Sequence, residues 1–114
     1  MNELRKDTNL VILQGKIKSD PKYTELRDLH KLELTLESIS SIQGKDTNFC
    51  YAKVEILGDN AKYLSPYGEG KLKNGDTILI EGMLSSSEAE LLIQHVSTIN
   101  IISRVDTKTP NIVN

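Results

Sequence analysis

From Lys31 to Glu37 the chain alternates without a break: Leu32, Leu34 and Leu36 fall on one side of an extended backbone, and Lys31, Glu33, Thr35 and Glu37 on the other. Successive side chains of a β-strand point to opposite faces, so a period of two describes a strand with one face in a core and the other in water. A second stretch repeats the pattern. Over Phe49–Leu57, the residues Cys50, Ala52, Val54 and Ile56 form a small apolar face, and Phe49, Tyr51, Lys53, Glu55 and Leu57 form the opposite one. Cys50 is thereby expected to be a small buried hydrophobe.

The flanking segments extend this all-β reading. Asn9–Lys18 holds Leu10, Val11, Ile12, Leu13 and Ile17 around Gly15, which predicts a strand with a bend, and Ser19-Asp20-Pro21 ends it. Ser38–Asn48 reads as a long connection turning at Gln43-Gly44-Lys45-Asp46. After Gly58, either Asp59 or Asn60 is placed to cap a short helix through Ala61, Lys62, Tyr63 and Leu64, which Ser65-Pro66 stops. Tyr67-Gly68-Glu69-Gly70 reads as a flexible insertion and Lys71–Asp76 as a basic turn. Thr77–Leu84 is a fourth strand with a corner at Gly82, and Leu91–Ile102 a fifth with a polar break at Gln94-His95.

Five strands with one short helix between the third and fourth is the order of an OB-fold, a partly open Greek-key barrel. Glycines within the first and fourth strands suit a barrel whose strands must bend. The expected organisation is one such domain over residues 9–103, a flexible N-terminal arm at 1–8 and a loose C-terminal tail at 104–114.

Charge and composition then narrow the function. Fourteen Lys and Arg against sixteen Asp and Glu leave a formal net charge of −2, which argues against a reader of duplex DNA and confines any nucleic-acid site to a local patch. The single cysteine excludes an internal disulfide or a multi-cysteine metal site and fits a reducing compartment. No apolar run approaches a membrane span and the N-terminus has no apolar leader, so a cytoplasmic protein is expected. His30 and His95 stand alone, and no nucleophile–base pair or phosphate loop is evident. A binding protein without cofactor is expected, not an enzyme.

Several segments resemble bacterial single-stranded-DNA-binding proteins. They are Asn9–Ile17 followed by Asp20-Pro21, Leu34-Thr35-Leu36 with Ser38, Tyr51–Gly58 followed by Ala61, and Lys73-Asn74-Gly75-Asp76 leading into Ile80-Glu81-Gly82-Met83-Leu84. They keep the family's order over most of residues 9–102. The resemblance implies an OB-fold, sequence-tolerant binding of single-stranded DNA, and dimers or tetramers built through the first strand. It also implies roles in replication, repair or recombination.

The departures concern the rings on which that family stacks bases. One survives as Tyr51; the positions near Ile42, at Leu57 and in Ser85–Ala89 carry none. The family's acidic, glycine-rich tail, which recruits protein partners, has no counterpart in Asp106–Asn114, so the resemblance does not carry that role over. Replication or repair proteins stay open as partners, and the tail-less primosomal replication proteins are the nearer analogue. Tyr67 and its glycines are extra.

A single strand needs cations for its phosphates and flat faces for its bases. Phe49, Tyr51 and Lys53 supply a ring-ring-cation row on one strand face, whose alternative use is an oligomer contact or cross-strand ladder. Lys16 and Lys18, and Lys71 and Lys73, are candidates for phosphate, or else charges that keep strand edges soluble. Tyr23 and Tyr67 are candidate stacking rings, with Tyr23 equally suited to cover the barrel mouth. Glu33 and Glu37 oppose phosphate if they share the binding face. Two rival readings stay open: RNA as ligand, and an OB-fold retained as a protein–protein adaptor in a replication, primosome or mobile-element machine.

Overall fold

The strands that alternate in sequence alternate in space. The computed structural model describes residues 7–43, 46–87 and 90–105. Its elements are β1 (Val11–Ile17), β2 (Lys22–Leu26), β3 (Leu29–Ile42), β4 (Asp46–Leu57), α1 (Asp59–Leu64), β5 (Thr77–Ser87) and β6 (Glu90–Ser103). The sheet runs β1-β5-β6-β4-β3-β2, and β1 also pairs with β3. That additional pairing closes β1, β3, β4, β6 and β5 into a five-stranded barrel and leaves β2 outside it as a hairpin partner of β3. Every pairing is antiparallel except β4 with β6.

Leu32, Leu34 and Leu36 of β3 and Ala52, Val54 and Ile56 of β4 are all at most 4% exposed and point into the barrel. Ile17, Ile78, Ile80 and Ile93 meet them from the other strands, while Ala61 and Leu64 of α1 plug one end with Leu72. Each fully buried aliphatic side chain contributes about 1.5–3 kcal/mol through removal from water.

Closure turns on Gly15. β1 pairs with β5 from Val11 to Lys16 and reaches β3 at Lys16↔Glu37 and Ile17↔Leu36. A Cβ at Gly15 would lie 2.5 Å from the Glu37 carbonyl oxygen, so only a glycine lets the two backbones approach there. Beyond it, Lys18 N–H donates to the Thr35 carbonyl across the β1–β3 seam, while Gly75 N–H donates to the Ile17 carbonyl and ties the end of β1 to the turn before β5.

A buried carboxylate fastens the turn before β5, beside the end of β1. Asp76 is fully buried: its Oδ2 accepts from Lys73 N–H at 2.9 Å and its Oδ1 from Val105 N–H at 2.8 Å. Arg104 approaches Oδ2 at 3.9 Å and donates to the carbonyls of Lys71 and Gly70. The turn before β5 is thus tied to the residues that leave β6.

The structure corrects the sequence reading at several places. Lys22–Leu26, to which the sequence reading assigned no element, is a further strand that pairs with β3 outside the five-stranded barrel, making six strands among the described residues. Its residues are exposed apart from half-buried Tyr23, so burial imposes no alternation on the sequence. Ser38–Asn48 is not a connection: β3 and β4 continue as one ribbon, paired as far as Ile42↔Asp46. The ribbon stands clear of the core, leaving Ile39 and Phe49 more than half exposed and Cys50 half-buried. Helix α1 has Gly58 at its N-cap, φ 79°, with no side-chain cap from Asp59 or Asn60. β5 also runs on past Leu84 to Ser87.

The polar break at Gln94-His95 is a β-bulge. Glu81 pairs with Thr98 and Met83 with Gln94, so Gly82 faces three residues of β6, and His95 sits at φ 51°. The expected arm and tail fall largely outside the described residues; Asn9, where the arm meets the domain, exchanges two hydrogen bonds through its side-chain amide with the backbone of Leu84.

Because the Cβ of a larger residue would strike backbone, Gly15→Ala is expected to destabilise by about 2–3 kcal/mol, lowering the melting temperature by roughly 10 °C or more. Gln14→Ala, on the exposed face one residue away, should leave the thermal melt nearly unchanged.

Candidate nucleic-acid interface

Because the outward residues of β3 and β4 are the odd-numbered ones, the ladder fixes which side chains stand beside one another. It sets Ile39 opposite Phe49, Glu37 opposite Tyr51, Thr35 opposite Lys53 and Glu33 opposite Glu55. Phe49, Tyr51 and Lys53 therefore form a continuous exposed row, with both rings 54% exposed. Lys16 of β1 is in register with Glu37, and Lys18, just beyond β1, has its Nζ 3.5 Å from Glu37 Oε1, so both lysines border the same patch. Five of the predicted residues are thus brought together.

Glu37 is the pivot of this patch. The Tyr51 hydroxyl donates to Glu37 Oε2 at 2.7 Å, which fixes the tilt of the ring while leaving its face open. That bond, helped by the charges of Lys18 and Lys16 and opposed by partial desolvation, holds the Glu37 carboxyl below the usual carboxylate range. The same bond, then desolvation and the nearby negative charge, pushes the Tyr51 hydroxyl up. Glu33 and Glu55 do share the face, and Lys31 lies 3.9 Å from each. Glu55 also accepts a hydrogen bond from Gln94. The carboxylates are spent within the protein, which lowers their repulsion of a phosphate chain without removing it.

Beside Lys53 is an open hollow of about 370 Å³, lined by Ser19, Asp20, Lys22, Glu33, Thr35 and Lys53 among others. Lys22 was not singled out from the sequence; only once β2 is known to pair with β3, with Lys22 opposite Glu33, does it join this face.

The remaining predicted residues lie elsewhere. Tyr23 is half-buried and packs against the core: it pairs with Leu32, its hydroxyl shares a 2.6 Å hydrogen bond with His30 Nδ1, and its ring stacks on His30. Tyr67 is 87% exposed and meets Tyr23 edge-on at 6.1 Å. Lys71 and Lys73 rim a second hollow with Asp20, Pro21, Pro66 and Leu72. Asp20 lines both hollows. Leu57, where the resemblance called for a ring, is exposed and offers only an aliphatic side chain; the side chain of Ile42 and residues 88–89 fall outside what the structure describes. No group of His, Cys, Asp and Glu among the described residues is arranged to hold a metal ion.

No family model matches the sequence, and no curated relative does. Solved structures do match by shape. The second single-stranded-DNA-binding protein of Mycobacterium smegmatis superposes with a TM-score of 0.67 at 19% identity, covering 87% of this chain and 98% of that one. The fold is an OB-fold. A Plasmodium falciparum single-stranded-DNA-binding protein, solved with single-stranded DNA, gives 0.61 at 14% identity over 90% and 100% of the two chains. The dimeric N-terminal domain of PriB from Thermoanaerobacter tencongensis gives 0.55 at 21% over 84% and 98%. At such identities the likeness establishes the OB-fold barrel, and the ligand must be argued from the residues.

The lowered Glu37 value carries a sign. A carboxyl depressed in the folded state adds stability above its unfolded value, and that stability is lost as the pH falls through the folded one. Urea melts across the acid range should show the wild type losing stability in that window, and Glu37→Gln should lose less there. In an ultraviolet absorbance titration of Glu37→Gln, one tyrosine should ionise at lower pH than in the wild type.

Proposed function

We propose that this protein binds single-stranded nucleic acid without regard to sequence, through the outer face of β3 and β4. DNA is the ligand favoured by the names of its structural neighbours, which include single-stranded-DNA-binding proteins from bacteria and Plasmodium falciparum. The observation that carries the reading is the exposed row of Phe49, Tyr51 and Lys53 with Lys16 and Lys18 alongside. It supplies both requirements of a single-strand site, flat faces for bases and cations for the backbone, and none of it is needed for the core. With few rings and several carboxylates on the face, the grip is expected to be modest and strongly salt-dependent. A role in replication, repair or recombination, in the cytoplasm, follows from the same reading; no helix among the described residues is long and apolar enough to cross a membrane.

Self-association through β1 is part of the proposal. Val11–Gln14 bond β5 on one side, while among the described pairings β3 is reached only at Lys16 and Ile17, so the other edge of this apolar stretch is open. Ile12 is 57% exposed beside it. An unpaired apolar edge is a template for a second copy of the same strand. Light scattering is expected to give a dimer or tetramer, and Val11→Pro, which removes a donor from β1, to shift it toward monomer.

Fluorescence anisotropy with labelled oligo-dT is the direct test. Binding should appear at low salt and micromolar protein. Tyr51→Ala should weaken it roughly 5- to 150-fold, the value of one stacked base. Lys53→Ala should lower the slope of log affinity against log salt by about 0.7. No binding at low salt would sink the reading in favour of an adaptor role, and tighter binding of an equivalent RNA would reassign the ligand.

A further inference from the structure

The hollow rimmed by Lys71 and Lys73 is the feature that the β3–β4 face leaves unexplained. Its volume is about 290 Å³, close to the roughly 300 Å³ at which small-ligand pockets begin. Pro21, Pro66 and Leu72 give it an apolar lining, and Pro21 and Leu72 are buried. The rim is held rigidly. Leu72 N–H donates to the Leu64 carbonyl at 3.0 Å, Lys73 N–H to the buried Asp76 carboxylate, and Arg104 to the Lys71 carbonyl. A segment with two lysines whose backbone is fixed on either side of an apolar floor is preorganised for a ligand with a flat apolar part and anionic flanks.

We infer that this hollow is a second nucleotide site on the same bound strand. One base rests against Pro21, Pro66 and Leu72, and Lys71 and Lys73 contact the phosphates on either side of it. This rests on the single-strand reading above and extends it around the barrel. Continuity comes from Asp20, which lines both this hollow and the one beside Lys53 and Lys22. A strand leaving the Tyr51–Lys53 row therefore passes Lys22 and reaches Lys71 by crossing only the Ser19–Pro21 turn. The Asp20 carboxylate keeps phosphate out of the hollow itself and presents an acceptor to an N–H of a base, such as thymine N3–H. A protein partner of acidic character would use the lysines alone and leave the apolar floor empty; the floor favours the nucleotide.

The test compares oligo-dT of about 4 and about 15 nucleotides, spanning the site sizes of one such barrel, on the full chain by anisotropy. Lys71→Ala with Lys73→Ala should bind the longer oligonucleotide about 10-fold more weakly, with the salt slope reduced by about 1.4 for two lost phosphate contacts. The same variant should bind the shorter one as the wild type does. Because Lys73 also interacts within the protein, Lys71→Glu alone serves as the second variant, and it should show the same dependence on length. Bromodeoxyuridine placed along the longer oligonucleotide should crosslink to the Pro66–Lys73 peptide. Equal weakening at both lengths, no weakening at either, or crosslinks confined to β3 and β4 would overturn the second site while leaving the Tyr51 face intact. Failure of the wild type to bind either oligonucleotide would remove the single-strand reading, and this one with it.

Discussion

The whole arrangement depends on how closely β1 and β3 approach each other at Gly15. A sheet of these strands has no reason to close unless its first strand can leave β5 and meet β3, and a single missing side chain permits that step. Closure buries Leu32, Leu34, Leu36 and Ile17 together. It also brings Lys16 and Lys18 alongside Glu37 and Tyr51. Core and surface patch are consequences of one backbone approach, so a substitution at that point disturbs both.

The patch it creates is a balance of opposite charges. A carboxylate next to a stacking ring costs affinity for phosphate, yet Glu37 is also what holds the Tyr51 hydroxyl and neutralises Lys18 when the face is empty. Lys31 plays the corresponding part between Glu33 and Glu55. In the proposed reading a nucleic acid would compete for these lysines against partners already in place, so its binding would be reversible and responsive to ionic strength.

Much of this was legible in the chain itself. The period of two over Lys31–Glu37 and Phe49–Leu57 places the core leucines and the Phe49-Tyr51-Lys53 row correctly, because burial on one face imposes the alternation that reveals it. The same reasoning fails at β2 and in the outer half of the β3–β4 ribbon, where neither face meets a core and no pattern is imposed. Periodicity assigns faces but not register, so the pairing of Glu37 with Tyr51 and the recruitment of Lys22 needed the ladder. Asp76 looks like one more polar residue in a basic turn; nothing local marks it as fully buried, since its partners Val105 and Arg104 lie some thirty residues on.

That distant partnership bears on how the protein is made. The β3–β4 ribbon precedes β5 and β6 in the chain, and its local antiparallel pairing can form before they emerge from the ribosome. The parallel pairing of β4 with β6 and the capture of Asp76 by Val105 must wait for the final strand and the residues just after it. Until then Ile78, Ile80 and the carboxylate of Asp76 have no enclosure. A nascent chain of this design stays open along one side until nearly all of its domain is synthesised, and its exposure to chaperones and proteases is set by the last strand to arrive.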